Sequence, residues 1–289
     1  MNFQALLDER GLEGWLHAVD LDSGAETGFG ADELVVSASV FKVPVLVELC
    51  RQWSVGALVP TQRVRLPADD LLTEGPTGYS VTIDDVDVSL RDLALSMMSV
   101  SDNRATDVIM GMLGLDAINA TMQRLGHRDT VLVGDCNALF RTIEEDLGQD
   151  SGGAAELEPA ELTRRMRTVR ALTPAATTHT TPRETTTLFA QLWCDEILDP
   201  AACAEARRIL GLQVWPHRLG SGFPEAGVQI SAKTGTLGHR RNEAGVVEYP
   251  DGRRFAVAVF VGSSHDGSRD PVADAAIGTL ARATVDSLR

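Results

Sequence analysis

Ser39-Val40-Phe41-Lys42-Val43-Pro44-Val45-Leu46-Val47-Glu48-Leu49-Cys50 is apolar on nearly every side at helical spacing, the pattern of a helix buried in a core rather than laid on a surface. Pro44 is costly in such a helix unless it lies near the first turn, so the helix is expected to begin close to Ser39. Toward the N-terminus, Phe3 to Arg10 reads as a helix followed by Gly11, and Trp15 to Leu21 as a strand. The strand turns at Asp22-Ser23-Gly24 onto a short partner from Glu26 to Gly30, which makes a hairpin.

Toward the C-terminus, helical stretches alternate with Gly, Pro and Asp-rich connections. They run over Leu90 to Met98, Ala105 to Leu113, Asp116 to Leu125, Pro159 to Leu172, Pro182 to Glu196 and Pro200 to Leu210. The polar segment Asp146 to Gly153 reads as an exposed loop. Strand character returns in Val228 to Ala232, Ala244 to Tyr249 and Arg254 to Val261, the last two joined by the turn Pro250-Asp251-Gly252. Pro271 to Leu288 closes the chain as an amphipathic helix. This order predicts that the two ends share one sheet, an α/β domain of residues 1–42 and 213–289, with an all-helical domain of residues 43–212 inserted between them.

A chain of 289 residues with 44% hydrophobic residues is long enough to bury a sizeable core. Acidic residues outnumber basic ones 41 to 26, and the net charge of -15 disfavours nucleic acid and anionic membrane as partners. The first ten residues lack a basic n-region and an apolar h-region, and no apolar run is long enough to span a bilayer, so a cytoplasmic location is expected. Cys50, Cys136, Cys194 and Cys203 lack metal or redox spacing and read as free thiols; the six histidines are scattered, and neither metal nor cofactor is expected. Lysine occurs only at Lys42 and Lys233, every other basic residue being arginine. Arginine cannot be deprotonated in a protein whereas a desolvated lysine can, so these two are candidates for work arginine cannot do.

Both lysines fall in short motifs. Ser39-Val40-Phe41-Lys42, Ser101-Asp102-Asn103 and Lys233-Thr234-Gly235, the last followed by Thr236, occur in the order of the signature set of serine β-lactamases and penicillin-binding proteins. The chemistry explains the residue types. Ser39 at a helix start can turn backbone N–H groups toward a developing oxyanion, and Lys42, one turn on, can take its hydroxyl proton when neutral. A second cation would depress the Lys42 pKa, and Lys233 is the candidate. Ser101 is placed to relay a proton to the leaving group and Asn103 to bind Lys42 and a substrate amide, although all three residue types of that motif also cap helices well. Lys233 to Thr236 is expected to end a strand along which an extended substrate can lie, with Gly235 leaving room for close approach. The N–H groups of Thr236 and Ser39 would form the oxyanion hole, and Lys233 with Thr234 or Thr236 would hold a substrate carboxylate.

Over essentially its whole length the chain resembles the class A β-lactamase group of serine hydrolases. The resemblance implies an antiparallel sheet flanked by terminal helices with an inserted helical domain, and a small-molecule substrate carrying a carboxylate. Arg218 looks like the arginine that assists carboxylate binding, and Thr180-Thr181-Pro182-Arg183-Glu184 like the exit from the Ω loop. One departure bears on turnover. Class A enzymes hydrolyse the acyl-enzyme with an Ω-loop glutamate about three dozen residues beyond Ser-Asp-Asn, where this chain reads Val133-Gly134-Asp135-Cys136-Asn137-Ala138-Leu139-Phe140. Glu158, in Glu158-Pro159-Ala160-Glu161-Leu162, is the first candidate for that role, with Glu144, Glu145 and Asp135 nearer in sequence. His217 and His239 flank the lysine strand. The expected activities are hydrolysis through a Ser39 acyl-enzyme, trapping of the acyl group as a penicillin-binding sensor, or intracellular esterase or amidase work; a silent scaffold would leave the two lysines unexplained.

Overall fold

A computed structural model describes residues 3–69, 73–148, 158–265 and 269–289. In chain order its elements are α1 (Phe3–Asp8), β1 (Leu12–Asp20), β2 (Glu26–Phe29), β3 (Val35–Val36), α2 (Lys42–Ser54), β4 (Arg63–Leu66), β5 (Val86–Ser89), α3 (Leu90–Ser99), α4 (Asn103–Leu113) and α5 (Leu115–Arg124). There follow α6 (Cys136–Leu147), α7 (Pro159–Met166), β6 (His179–Thr180), α8 (Pro182–Trp193), α9 (Pro200–Leu210), β7 (Gln229–Leu237), β8 (Arg240–Glu248), β9 (Arg254–Ser263) and α10 (Pro271–Asp286).

The main sheet is antiparallel with strand order β2-β1-β9-β8-β7, so strands from both ends of the chain meet at its centre. Both faces are covered. On β9, Ala256, Ala258 and Phe260 face a core shared with α2, α3, α4, α5, α8 and α9, while Phe255, Val257, Val259 and Val261 face a second core with α1 and α10. This two-sided burial explains why β9 is an unbroken apolar run rather than an alternating one. Helix α2 is the buried helix read from the sequence, with Val43, Val45, Leu46, Val47, Leu49 and Cys50 at most 1% exposed. Pro44 falls in its first turn, where no intrahelical N–H bond is lost. No helix among the described residues is long and apolar enough to cross a membrane.

The structure corrects the element reading in four places. Between α2 and α9 the chain is not purely helical: β4 pairs with β5 in one small sheet, and β6 pairs with β3, which precedes α2, in another. Helix α6 occupies the stretch read as part of an Ω loop; the Asp135 carboxylate caps it by accepting the Ala138 N–H at 2.7 Å, and Gly148 ends it in the left-handed conformation. The helix expected from Pro159 to Leu172 ends at Met166 and resumes as a 3₁₀ turn over Arg170–Leu172. Ser39 lies in a 3₁₀ turn, Ala38–Phe41, that precedes α2 rather than in its first turn. As expected, Lys233 to Thr236 form the last part of a strand, β7, whose ladder with β8 runs one residue further to Leu237↔Arg240. Most of the loop expected over Asp146 to Gly153 lies outside the described residues.

Helix α10 approaches the 3₁₀ turn Leu219–Gly222 through a glycine pair. A Cβ on Gly278 would meet the Arg218 carbonyl oxygen at 2.6 Å and the Gly222 N at 2.7 Å. Replacing Gly278 with alanine is therefore expected to cost about 1–3 kcal/mol by overpacking, read as a lowered urea midpoint with an unchanged m-value.

Candidate active site

The segment carrying Ser39 is pinned before it reaches the cleft. Asn242 of β8 donates from Nδ2 to the carbonyls of Val36 (2.9 Å) and Ser37 (3.2 Å), and the Ser37 hydroxyl donates to the Thr178 carbonyl (3.1 Å). Ala38 then takes φ of 43°, a conformation that costs a non-glycine residue free energy and is held by these contacts. It turns Ser39 onto the edge strand β7, so close that a Cβ at Gly235 would lie 2.9 Å from the Ser37 oxygen and 3.2 Å from the Ser39 N. Thr234 gives its N–H to Gln213 Oε1 (2.7 Å) rather than to β8. Outward-facing amides recur at every second residue of an antiparallel ladder, so the Thr236 N–H opens to the same free edge, beside Ser39.

Lys42 is fully buried beneath Ser39. Its Nζ donates to the Ser101 carbonyl (2.7 Å), Asn103 Oδ1 (2.9 Å) and the Ser101 hydroxyl (3.3 Å), so each of its three protons has an acceptor. Burial lowers its pKa from the ordinary lysine value, against opposing influences from Cys136, Asp102 and Asp107. Ser101 is at φ of 65°, which presents its backbone carbonyl and hydroxyl to the same ammonium. Asp102 both caps α4 and organises the motif: its carboxylate accepts from the N–H groups of Tyr79 (2.6 Å) and Ala105 (3.1 Å) and the hydroxyls of Ser96 (2.7 Å) and Ser80 (3.3 Å). Capping and site-building are here one arrangement.

Lys233 is also fully buried and donates to the Thr234 carbonyl at 2.9 Å. Its pKa lies well below the ordinary value, through burial first and the charge of Lys42 second. The two lysines thus sense one another, but the repulsion depresses Lys233, whereas Lys42 is depressed by its own burial. Arg218, 5% exposed, donates to the carbonyls of Gly235 (2.8 Å) and Asn242 (3.0 Å) and to the Thr236 hydroxyl (2.7 Å), and pairs with Asp274 of α10 (2.7 Å). It therefore braces β7 as well as lining the cleft.

Ser39, Ser101, Asn103, Arg218, Thr234 and Thr236 line one cleft of about 600 Å³, with Trp215, His217, Phe140 and Arg269 at its walls. Glu158 is not brought to it; that residue precedes α7, exposed, and makes no side-chain cap. Glu145 pairs with Arg170, and Asp135 caps α6. The carbonyl of His239 accepts from the Ser263 N–H, a backbone role. From the stretch lacking a glutamate, Phe140 lines the cleft and Cys136 places its Sγ 3.7 Å from Asn103 Oδ1, which accepts from Lys42. Asp107 of α4 fixes it there by accepting the N–H groups of Cys136 (2.8 Å) and Asn137 (2.9 Å). Burial pushes the Cys136 thiol far above the usual range, so it stays neutral. Cys136, Gln213 and Glu243 were not singled out from sequence; the only signal was that Cys136 falls in the stretch where a glutamate was sought.

Because Lys42 must lose a proton to serve as a base, acylation is expected to quicken as pH rises through its depressed pKa. Lys42→Arg, which keeps the charge but cannot be deprotonated, should lower the acylation rate by about 10²-fold or more, measured by stopped-flow with a chromogenic cephalosporin.

The fold and sequence have known relatives. The "Beta-lactamase regulatory protein BlaB" of Streptomyces cacaoi is 29% identical over 296 residues, covering 98% of this chain and 95% of that protein. A point mutant of PBP-A, solved as an acyl-enzyme complex with penicillin G, superposes with a TM-score of 0.78 at 24% identity, covering 99% of this chain and 94% of that one. A β-lactamase from Sphaerobacter thermophilus does so with a TM-score of 0.77 at 23% identity, covering 99% and 96%. These two structures establish the shared fold. The model of the beta-lactamase enzyme family matches residues 2–288, and the chain, with its class A β-lactamase-like architecture, belongs to that family.

Proposed function

We propose that the protein forms an acyl-enzyme on Ser39 with a β-lactam or a related cyclic amide or ester bearing a carboxylate. The observation that carries this reading is the buried Lys42 side chain, bonded to Ser101 and Asn103, which line the same cleft as Ser39 and Thr236. Ser39 Oγ attacks the substrate carbonyl carbon and its proton passes to neutral Lys42 Nζ. The oxyanion rests on the N–H groups of Ser39 and Thr236, which the contact at Gly235 brings together. The carbon–nitrogen bond then breaks, and the leaving nitrogen takes its proton from Lys42 by way of the Ser101 hydroxyl. Arg218, Thr234 and Thr236 on the cleft wall supply the positive and hydroxyl surface for the carboxylate, with Lys233 buried behind them.

Hydrolysis of the ester completes the reaction in a β-lactamase. A second reading, a sensor that keeps its acyl group, is favoured by two observations: the relative named as a regulatory protein, and Cys136, a neutral thiol beside Asn103 in the stretch where a glutamate was sought. Intact-mass measurement after addition of penicillin G separates the two. A transient adduct supports hydrolysis and a persistent one the sensor; no adduct, or one retained in Ser39→Ala, overturns both. Cys136→Asp, which places a carboxyl group beside Lys42, is expected to shorten the adduct lifetime by about 10²-fold, with Cys136→Ser leaving it unchanged.

A further inference from the structure

Glu243 of β8 is 1% exposed and takes no part in the acyl-transfer steps. Its Oε1 accepts from Gln213 Nε2 (2.6 Å) and its Oε2 from the Leu219 N–H (2.5 Å). The same Gln213 side chain accepts the Thr234 N–H through Oε1 (2.7 Å). One amide thus bridges a buried carboxylate and the free edge of β7, and Thr234 is the direct cross-strand neighbour of Glu243. With Gln213 seated on that edge, an extended substrate can pair with β7 only further along, at Thr236.

We propose that Glu243 and Gln213 form a positioning device for the Lys233–Thr234 end of β7, through which Glu243 sets how strongly the cleft holds a substrate carboxylate. The inference rests on the acylation reading at Ser39.

The charged groups around Glu243 are few. Lys233 acts on it from β7 and Arg218 from the segment before the 3₁₀ turn; Asp274 of α10 reaches it through its ion pair with Arg218, and Lys42 and Cys136 act on Lys233 in turn. Gln213 and Leu219 give only neutral donors. When ionised, Glu243 cancels part of the positive potential that would meet a substrate anion; when protonated, it no longer offsets Lys233, and Arg218 keeps only its partner Asp274. Burial pushes its carboxyl up to about 7 against the pull of those cations, so the charge changes across neutral pH. An anion in the cleft favours the protonated form, and by linkage its binding weakens as pH rises through that range.

The test compares second-order acylation rate constants for penicillin G and its methyl ester between pH 6 and pH 8. Taking their ratio removes the contribution of Lys42, which serves both compounds. In the wild type the acid-to-ester ratio is expected to fall about tenfold over this range, and in Glu243→Gln to stay flat. A flat wild-type ratio, or a slope that persists in Glu243→Gln, overturns the inference while leaving acylation at Ser39 intact. Should Glu243→Gln fail to fold, Gln213→Leu reads the same link: loss of the acid's rate with the ester's retained supports it, and equal loss or no loss overturns it. No acylation by either compound overturns the reading at Ser39 and this inference together.

Discussion

A lysine with no access to water must find acceptors for all its protons inside the protein, and Lys42 finds them at the N-terminus of α4. That requirement ties the buried helix α2 to the Ser101–Asn103 turn and fixes the separation between them. Much of the surrounding architecture serves to keep those acceptors where they are. The Asp102 carboxylate gathers Tyr79, Ser80, Ser96 and Ala105 around the turn, and at Gly78 only a hydrogen in place of a Cβ allows the approach to Asp102. The desolvation cost of a buried cation is offset by full hydrogen bonding. What remains is an amine of reduced pKa held at one place.

The opposite wall of the cleft follows another constraint, the close approach of backbones. β7 can deliver its edge amides to Ser39 only because Gly235 lets the Ser37–Ser39 segment lie against it. Asn242 and Arg218 hold that contact from either side, one through the Val36 and Ser37 carbonyls and the other through the Gly235 carbonyl. Arg218 is in turn anchored to α10 through Asp274. The C-terminal helix is therefore mechanically connected to the edge of β7 that faces Ser39.

How much of this was legible in the sequence depended on whether the signal was local. The buried character of α2, the central strands and the three motifs were readable because their residue types recur at short, fixed spacing. Helix α6 was missed because its stretch was compared with a loop, although Asp135 and Gly148 supply an N-cap and a C-cap. The end of β7 at Leu237 was legible because Lys233 to Thr236 carry a motif that ends a strand. Glu158 was named from a sequence echo, and no sequence distance could have revealed that Cys136 is the residue carried to Asn103 by the Asp107 carboxylate. Glu243 and Gln213 lay hidden for the same reason, since their partnership spans a turn of the tertiary fold.

Both lysines are withdrawn from solvent, and every other basic side chain is a guanidinium. Strained amides and activated esters react readily with exposed amines, and a protein surface rich in lysine accumulates such adducts without any active site. The described surface of this chain offers no lysine amine to them. Toward reactive acyl donors the described surface therefore presents the exposed thiol of Cys194 but no lysine amine, which removes the commonest route to adducts formed without an active site.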